Sequence, residues 1–424
     1  MSASGGGRWP KAAENMGVAF GSHLFYKFAS YVTLALLTRY LDKSAMGEFF
    51  FAATLAGTAV LFTELGTHRS LVRTAASDPD QALRAVSDVI SFRLPLFALY
   101  FALVNVFIWL TRPALLPVML LTSVYIALEE LYLSFGSLFV GIQRLMHNAV
   151  AGVCCRVALV GLILLVIHAD LGFRAILMAH IAANALLVLV GYVIVRRRLG
   201  PVRLLWRPEV AKRVTAGSFG LFAVGVLALL LARLDTVMLG FLGSYSDVAS
   251  YQAAYKLLEA TRFAIRPLNT VLFPMLAAMA ARREWEGVKT YAGRALAGAG
   301  WIGVGVVLIV AVAADWIVRL AFGARYGDAA PLLRVLILSV PLLYVDSIAI
   351  MVSQAICRER QVAKRLGLCV ALNIAANLIA IPRWGPIGAA WTTVGSELLL
   401  AILLIRGNAA WLAEPLIVPG EAAA

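Results

Sequence analysis

Twelve long apolar segments, each separated from the next by a short polar loop, limit what this chain of 424 residues can fold into. An α-helix rises about 1.5 Å per residue, so about 20 apolar residues cross the roughly 30 Å hydrocarbon layer of a bilayer. Hydrophobic residues make up 62% of the chain and charged residues 14%, whereas a soluble domain has roughly 45–50% and 25%. The sequence therefore predicts an all-α, polytopic membrane protein.

The predicted transmembrane spans lie between breaks in the hydropathy. They cover residues 15–37, 46–65, 88–110, 116–140, 148–168, 174–195, 215–239, 248–274, 292–318, 331–356, 366–381 and 387–405. We expect the first span to stay as an anchor, because the residues before it are polar and Gly-rich and no small-residue cleavage site follows it.

A basic loop at residues 196–214 divides the twelve spans six and six. It carries seven basic residues, and the segments that follow spans one and seven resemble each other, since RYLDKSAMGEFFFAATL and GFLGSYSDVASYQAAYKL both join two helices through a short polar turn. We predict two six-helix lobes at residues 15–195 and 215–405, an N-terminal segment at 1–14 and a tail at 406–424. Six is an even number, so both lobes would have the same orientation in the membrane.

Basic residues are distributed unevenly between the two sides of the membrane. Counted in and beside the loops, 22 Lys and Arg lie on the side of the N-terminus and 7 on the other side. Because cytoplasmic loops collect Lys and Arg, this predicts cytoplasmic termini in a cell inner-membrane protein. The same bias accounts for most of the net charge of +14, so no nucleic-acid partner is expected.

The eighth span contains charges that a lipid-facing helix would not tolerate. Lys256, Glu259, Arg262 and Arg266 fall within a sector of about 120° if residues 248–274 form one helix. Each charge at membrane depth costs roughly 2.5–3.5 kcal/mol on insertion scales. The face must therefore look into the bundle or a water-filled cavity, and its net positive charge predicts an anionic ligand.

The first span carries a second polar stripe, whose members recur at helical spacing: His23, Tyr26, Lys27, Ser30 and Tyr31. Arg and Lys bind phosphate oxygens, and a Tyr ring either stacks on a sugar or packs in the bundle. The candidate substrate-binding residues are Lys27, Lys256, Arg262, Arg266, Tyr26, Tyr31, Tyr255 and Arg233.

Carboxylates near membrane depth are candidates for ion coupling, since desolvation makes proton exchange feasible there. They are Glu129, Glu130, Asp235, Glu259, Asp346 and Glu397. Each carboxylate could equally form an ion pair with an Arg, and Arg233 could pair with Asp235 in this way. Arg93 and Arg156 are expected to snorkel to the cytoplasmic boundary. The four cysteines are interpreted as free thiols, and no metal or cofactor is expected.

Several short motifs resemble those of polysaccharide flippases of the Wzx type. The seventh and eighth helices of that family are matched by 235–240 (DTVMLG), 248–251 (VASY), 254–257 (AYKL) and 273–274 (FP). Further matches are 322–326 (FGARY), Asn373, Asn377, Pro382, 385–390 (GPIGAA), 39–42 (RYLD), 46–49 (MGEF), 64–66 (ELG) with Arg73, and 141–144 (GIQR).

The resemblance covers nearly the whole chain and implies membership of the multidrug/oligosaccharidyl-lipid/polysaccharide exporter superfamily. It implies two lobes around a central cavity, cationic here, and alternating access of the rocking type. The usual substrate is an oligosaccharide linked to a polyprenyl pyrophosphate of the undecaprenyl type, moved from the cytoplasmic to the outer leaflet. Polysaccharide polymerases and glycosyltransferases of O-antigen or exopolysaccharide synthesis are then candidate partners, and the protein itself is not expected to be an enzyme.

Three alternatives remain open. A membrane glycosyltransferase or polymerase would handle the same lipids, but such chemistry normally needs a sizeable external loop, and the outer loops have ten residues or so. A drug or cation exporter of the same superfamily would have an acidic cavity. A flippase for the lipid II type of peptidoglycan precursor usually has two further helices.

The charge asymmetry predicts which loops are accessible from outside the cell. Single cysteines at residues 243–247 and 323–328 should react with a membrane-impermeant thiol reagent in intact cells, whereas cysteines at 196–213 and 359–364 should react only after permeabilisation. Labelling of the 196–213 loop from outside would overturn the predicted orientation.

Overall fold

A computed structural model of the chain describes residues 8–205, 219–356 and 358–413, and places their side chains except those of residues 8–16, 18–20, 23, 79, 219–221, 266, 267 and 410–413. These residues form helices joined by turns and contain no strand, which confirms the predicted all-α class. The chain divides into two compact units, Met1–Phe222 and Ala223–Ala424. The lobe and linker boundaries given above stay a prediction.

Seven α-helices precede the basic loop in the part of the chain that the structure describes. They are α1 (Arg8–Tyr40), α2 (Lys43–Ala59), α3 (Thr67–Ser77), α4 (Ala82–Thr111), α5 (Leu116–Gly141), α6 (Leu145–His168) and α7 (Gly172–Arg198). Asp42 fixes the start of α2, because its carboxylate accepts hydrogen bonds from the backbone N–H groups of Ser44 and Ala45 at 3.2 and 3.4 Å.

Seven α-helices follow the loop within residues 219–356 and 358–413. They are α8 (Phe219–Leu242), α9 (Tyr245–Thr261), α10 (Arg266–Ala281), α11 (Trp285–Phe322), α12 (Ala329–Leu336), α13 (Val340–Ala355) and α14 (Glu359–Ala413). Ser244 begins α9 with a capping box, in which its hydroxyl bonds to the N–H of Asp247 and the Asp247 carboxylate accepts the N–H of Ser244.

Nine helical stretches of the described residues are long and apolar enough to cross a membrane, and the chain is a multi-pass membrane protein. One of them, Glu359–Ala409, contains both the eleventh and the twelfth predicted spans. There α14 bends at Gly385, whose φ of 57° and ψ of −142° are not helical. Glycine adopts positive φ without the clash that a Cβ brings, so this residue allows the chain to turn between the two spans.

The predicted eighth span, residues 248–274, is not one helix, and the expectation of a single charged face along it is wrong. α9 ends at Thr261 and α10 begins at Arg266. Between them the N–H groups of residues 262–264 bond to carbonyls three residues earlier, at 3.0–3.2 Å, as in a 3₁₀ turn. Pro267 has no N–H with which to continue an α-helical pattern. The charges before and after this turn therefore belong to two separate helices.

The described start of the basic loop is attached to the first unit. The backbone N–H of Arg203 donates to the hydroxyl of Ser87 at 3.2 Å, and that of Leu205 donates to Ser91 at 3.0 Å. Both serines lie on α4. Over these residues the loop therefore runs along α4 and is held to it by hydrogen bonds.

α11 and α13 approach closely in the second unit at Gly303. A Cβ placed there would lie 2.5 Å from Cα of Pro341 and 2.9 Å from its nitrogen. Small residues allow helix backbones to approach one another in membrane proteins, where packing contacts supply much of the association energy. A side chain at position 303 would therefore push the two helices apart.

This contact predicts that Gly303→Ala lowers the stability of the purified protein, by roughly 1–3 kcal/mol if overpacking follows its usual cost. Gly305→Ala on the same helix is the matched control, because a Cβ there meets nothing within 4 Å. Thermal unfolding followed by tryptophan fluorescence in detergent measures both. Equal melting temperatures for the two variants would contradict the close approach.

Candidate functional site

A cavity of about 320 Å³ opens beside the turn between α9 and α10. Arg262, the first residue after α9, lines it together with Asn269 of α10, Asp346 of α13 and Glu397 of α14. We call this space the Arg262 cavity. It holds one guanidinium, which offers five N–H donors in a planar fork, and two carboxyl groups within the same unit of the fold.

The two carboxyl groups change the charge balance expected from the eighth span alone. Asp346 is 3% exposed and Glu397 is 6% exposed, and the two side chains lie within hydrogen-bonding reach of each other. Neither carboxyl oxygen of Asp346 accepts a hydrogen bond from a donor group in the described part of the chain. The expectation of a net positive face counted one helix, whereas the cavity also receives groups from α13 and α14.

Lys256 and Tyr255, both expected to bind substrate, have other contacts in the structure. The Lys256 ammonium pairs with the Glu259 carboxylate at 2.6 Å, one turn along α9. The ring of Tyr255 is buried and stacks on Tyr251 with centroids 6.0 Å apart. Glu259 therefore has a fixed cationic partner, and Tyr255 is part of the helix packing.

Asp235, a candidate for ion coupling, is buried at the centre of a polar network. Its carboxylate accepts hydrogen bonds from Tyr251 of α9 at 3.0 Å and from Asn377 of α14 at 2.7 Å. Thr393, on the other side of the α14 bend, donates to the same carboxylate. Asn377 also donates to Asn373 at 3.0 Å. The network joins α8, α9 and both halves of α14 through one side chain.

A second cavity, of about 450 Å³, lies in the first unit and is lined by Tyr26, Glu129, Tyr132 and Asn148. Tyr26 of α1 donates its hydroxyl proton to Glu129 of α5 at 3.2 Å. The guanidinium of Arg156 lies 3.8 Å above the Tyr26 ring, in a cation–π contact. The expectation that Arg156 snorkels stays a prediction. We call this space the Tyr26 cavity.

Arg93 is fully buried, so the expectation that it snorkels is wrong. Its guanidinium pairs with Glu130 of α5 at 2.9 Å and contacts His68 of α3 at 3.0 Å. It also donates to the hydroxyl groups of Thr63 and Ser134. The pair lies between α4 and α5, whose apolar surroundings could not hold either charge alone. This contact gives Glu130 a structural role that does not require proton exchange.

The remaining predicted residues are not brought to either cavity by the described contacts. Lys27, Tyr31 and Arg233 are half-buried. The side chains of His23 and Arg266 lie outside the described residues. A site that joins Lys27 to the cations of the second unit stays a prediction.

Sequence reasoning missed the neutral partners of these groups, among them Asn377 and Thr393 on α14. Asn377 was noted only as part of the family resemblance, and Thr393 was treated as an ordinary residue of its span. The sequence shows that each is a polar side chain in an apolar segment, which suggests a specific role. It does not show which group the side chain contacts.

Comparisons with known proteins show the family and the fold of the chain. A family profile described as "Polysaccharide biosynthesis protein" matches residues 12–280. An uncharacterized membrane protein of Methanocaldococcus jannaschii is 22% identical over 229 residues, which cover 53% of this chain and 45% of that protein. The chain thus matches less than half the length of this archaeal relative.

Solved structures share the fold. The lipid II flippase MurJ in an inward closed conformation superposes with a TM-score of 0.71 at 15% identity, covering 93% of this chain and 87% of that one. An inward-facing multidrug resistance transporter of the MATE family gives 0.64 at 17% identity, with coverages of 92% and 94%. A MOP superfamily transporter from Pyrococcus furiosus, noted for the reverse polarity of its binding pocket, gives 0.62 at 15% identity and 95% coverage of both chains.

The buried Arg93–Glu130 pair predicts a strong stability effect. Arg93→Met should lower the free energy of unfolding by roughly 3–5 kcal/mol, because it leaves the Glu130 charge without its partner. The double variant Arg93→Met/Glu130→Gln should recover part of this loss, since neither charge then remains buried. Thermal unfolding of the purified variants measures these changes in stability. Arg84→Met is the control, because Arg84 lies on the exposed side of α4. A loss that is simply additive in the double variant would contradict the pairing.

Proposed function

The chain belongs to the polysaccharide biosynthesis protein family, and from this premise we propose that it is a flippase for an oligosaccharide linked to a polyprenyl pyrophosphate. The observation that carries the proposal is a guanidinium, that of Arg262, lining an interior cavity of a multi-pass membrane protein. A cation at membrane depth is costly, and an anionic substrate group offsets that cost.

Pyrophosphate fits the chemistry of Arg262. The head group carries about two negative charges and is excluded from hydrocarbon by its solvation energy. A guanidinium can donate two parallel hydrogen bonds to phosphate oxygens, and such charge-assisted bonds are roughly twice as strong as neutral ones. Asn269, which lines the same cavity and donates to Ser347 at 2.6 Å, supplies a neutral amide beside the cation.

The Tyr26 cavity of the first unit, taken by itself, offers groups that suit a sugar. Sugar rings present apolar C–H faces, against which aromatic rings pack, and hydroxyl groups that need hydrogen-bond partners. Tyr26 and Tyr132 provide the rings, while Glu129 and Asn148 provide acceptors and an amide. Tyr132 already donates to Asn148 at 2.8 Å, so a sugar hydroxyl can join a network that exists without it.

Translocation would proceed by alternating access from the cytoplasmic to the outer leaflet of the inner membrane, with both termini in the cytoplasm. Such transport changes no covalent bond of the substrate, so we assign no enzymatic activity. Enzymes that assemble the lipid-linked oligosaccharide and a polymerase that uses it would act before and after this step. A lipid II type precursor carries the same pyrophosphate chemistry and is the nearest alternative substrate.

A cation exporter is the second candidate, because two carboxyl groups line the Arg262 cavity. If both are ionised, they outnumber the one guanidinium and favour a cationic ligand. The fold shared with MATE transporters agrees with this alternative. Competition between an anionic and a cationic ligand for the purified protein separates the two candidates.

The flippase proposal predicts that Arg262→Ala reduces flipping of a pyrophosphate-linked oligosaccharide in proteoliposomes by about ten- to a hundredfold, the equivalent of roughly 1.5–3 kcal/mol of lost charge-assisted bonding. Arg262→Lys should lose less, since it keeps the charge without the fork. Arg282→Ala is the control, because that side chain is 76% exposed in the turn after α10. Wild-type flipping by Arg262→Ala at equal protein levels would rule out this cavity as the pyrophosphate site.

A further inference from the structure

We propose that Asp346 and Glu397 together hold one exchangeable proton, and that an anion bound at Arg262 makes the pair take up a second one. The first part of this proposal concerns the protein alone. The second part rests on the proposed function, because it requires an anionic group at the Arg262 cavity.

The geometry favours a proton shared between the two groups. Both side chains are more than nine-tenths buried, at 3% and 6% exposed, and both line the Arg262 cavity. They lie within hydrogen-bonding reach of each other, while no donor group in the described part of the chain reaches either oxygen of Asp346. An ionised carboxylate only accepts hydrogen bonds. The contact is therefore a hydrogen bond only if one of the two carboxyl groups carries a proton that the other accepts.

Electrostatic repulsion also favours the state in which the two carboxyl groups hold one proton. Two ionised carboxylates in contact repel each other strongly in an interior of low dielectric constant. Arg262 can offset one of these charges but not both. Two carboxylates that share a site accordingly bind a proton more tightly than either would alone. With one proton on the pair, the cavity contains one cation and one carboxylate and is close to neutral.

The charged and titratable groups of the neighbouring helices do not replace the shared proton. Asp235 of α8 lies near Glu397, and Tyr255 of α9 faces Glu397 and Arg262. Glu259 of α9 also lies near Arg262, but it pairs with Lys256. Tyr344 of α13 donates its hydroxyl proton to the backbone carbonyl of Thr261. Cys369 of α14 is buried and faces the pair as a thiol.

An anion bound at Arg262 changes the charge balance of the cavity. The guanidinium then bonds to phosphate oxygens and no longer offsets the remaining carboxylate, which lies beside a new negative charge. A proton from the solvent would move onto that carboxylate oxygen, forming an O–H bond and leaving both carboxyl groups neutral. By linkage, an anion that promotes proton binding is itself bound more tightly when the proton is present. The pair would therefore set how the affinity of the cavity for anions depends on pH.

The shared proton is tested by infrared spectroscopy of the purified protein in lipid nanodiscs. A protonated carboxyl group absorbs apart from ionised carboxylates, and ¹³C labelling of aspartate or of glutamate assigns its band in the wild-type chain. We expect one band at neutral pH that shifts with either label, because the two groups share the proton. Asp346→Asn or Glu397→Gln should remove or displace it, whereas Glu259→Gln should leave it, because Glu259 pairs with Lys256. Absence of any label-sensitive protonated carboxyl band in the wild type overturns the proposal.

Proton uptake is tested by titration calorimetry with farnesyl pyrophosphate, in buffers that differ in ionisation enthalpy and with farnesol as the uncharged control. We expect the wild type to take up on the order of one proton per bound anion, and Asp346→Asn/Glu397→Gln to take up none while still binding. Binding by the wild type without proton uptake overturns the linkage. Failure to bind farnesyl pyrophosphate at all contradicts the proposed function instead, and the infrared experiment still decides whether the pair holds a proton.

Discussion

The cost of holding a charged side chain among apolar helices determines how the interior of this protein is organised. Arg93 and Asp235 are buried and have partners on other helices, because neither lipid nor an apolar bundle can solvate a charge. Arg93 of α4 pairs with Glu130 of α5, and Asp235 of α8 is held by donors from α9 and α14. These contacts join helices that hydrophobic packing alone would leave free to rotate, since lipid is as apolar as the helix surfaces.

The turn between α9 and α10 makes Arg262 different from the other cations. A continuous helix would have carried its side chain along one face with Lys256, but α9 ends at Thr261, one residue before Arg262, and Pro267 at the start of α10 has no N–H to continue the α-helical pattern. Lys256 is neutralised within its own helix by Glu259. Arg262 instead lines a cavity, where carboxyl groups from two other helices share its environment. A helix break at membrane depth is tolerated where the backbone borders protein or a cavity, and this one places a guanidinium there.

The protonation state of Asp346 and Glu397 decides the sign of the Arg262 cavity. With both carboxyls ionised the cavity is acidic, with one proton it is near neutral, and with two it is cationic. The charge of a ligand that this cavity favours therefore depends on three interior side chains, Arg262, Asp346 and Glu397.

The sequence by itself determined the class of the protein and the position of its spans, because the length of an apolar segment is a local property and the bilayer imposes a minimum on it. The predicted spans coincide with helices in the described residues, except that the eighth and the tenth are each divided between two helices. Pro267 was visible in the eighth span, but its effect on the charged face was not anticipated. The sequence also identified Arg262, Asp346 and Glu397 individually as charges that apolar surroundings would not tolerate. Only the tertiary structure decided how they combine, since Arg262 and Glu397 are far apart in the chain and their meeting depends on how α9 and α14 rotate and pack. Helical periodicity fixes which residues share a face of one helix, but not which face of another helix lies opposite. For that reason the neutral donors around Asp235 and the burial of Arg93 could not be read from the sequence.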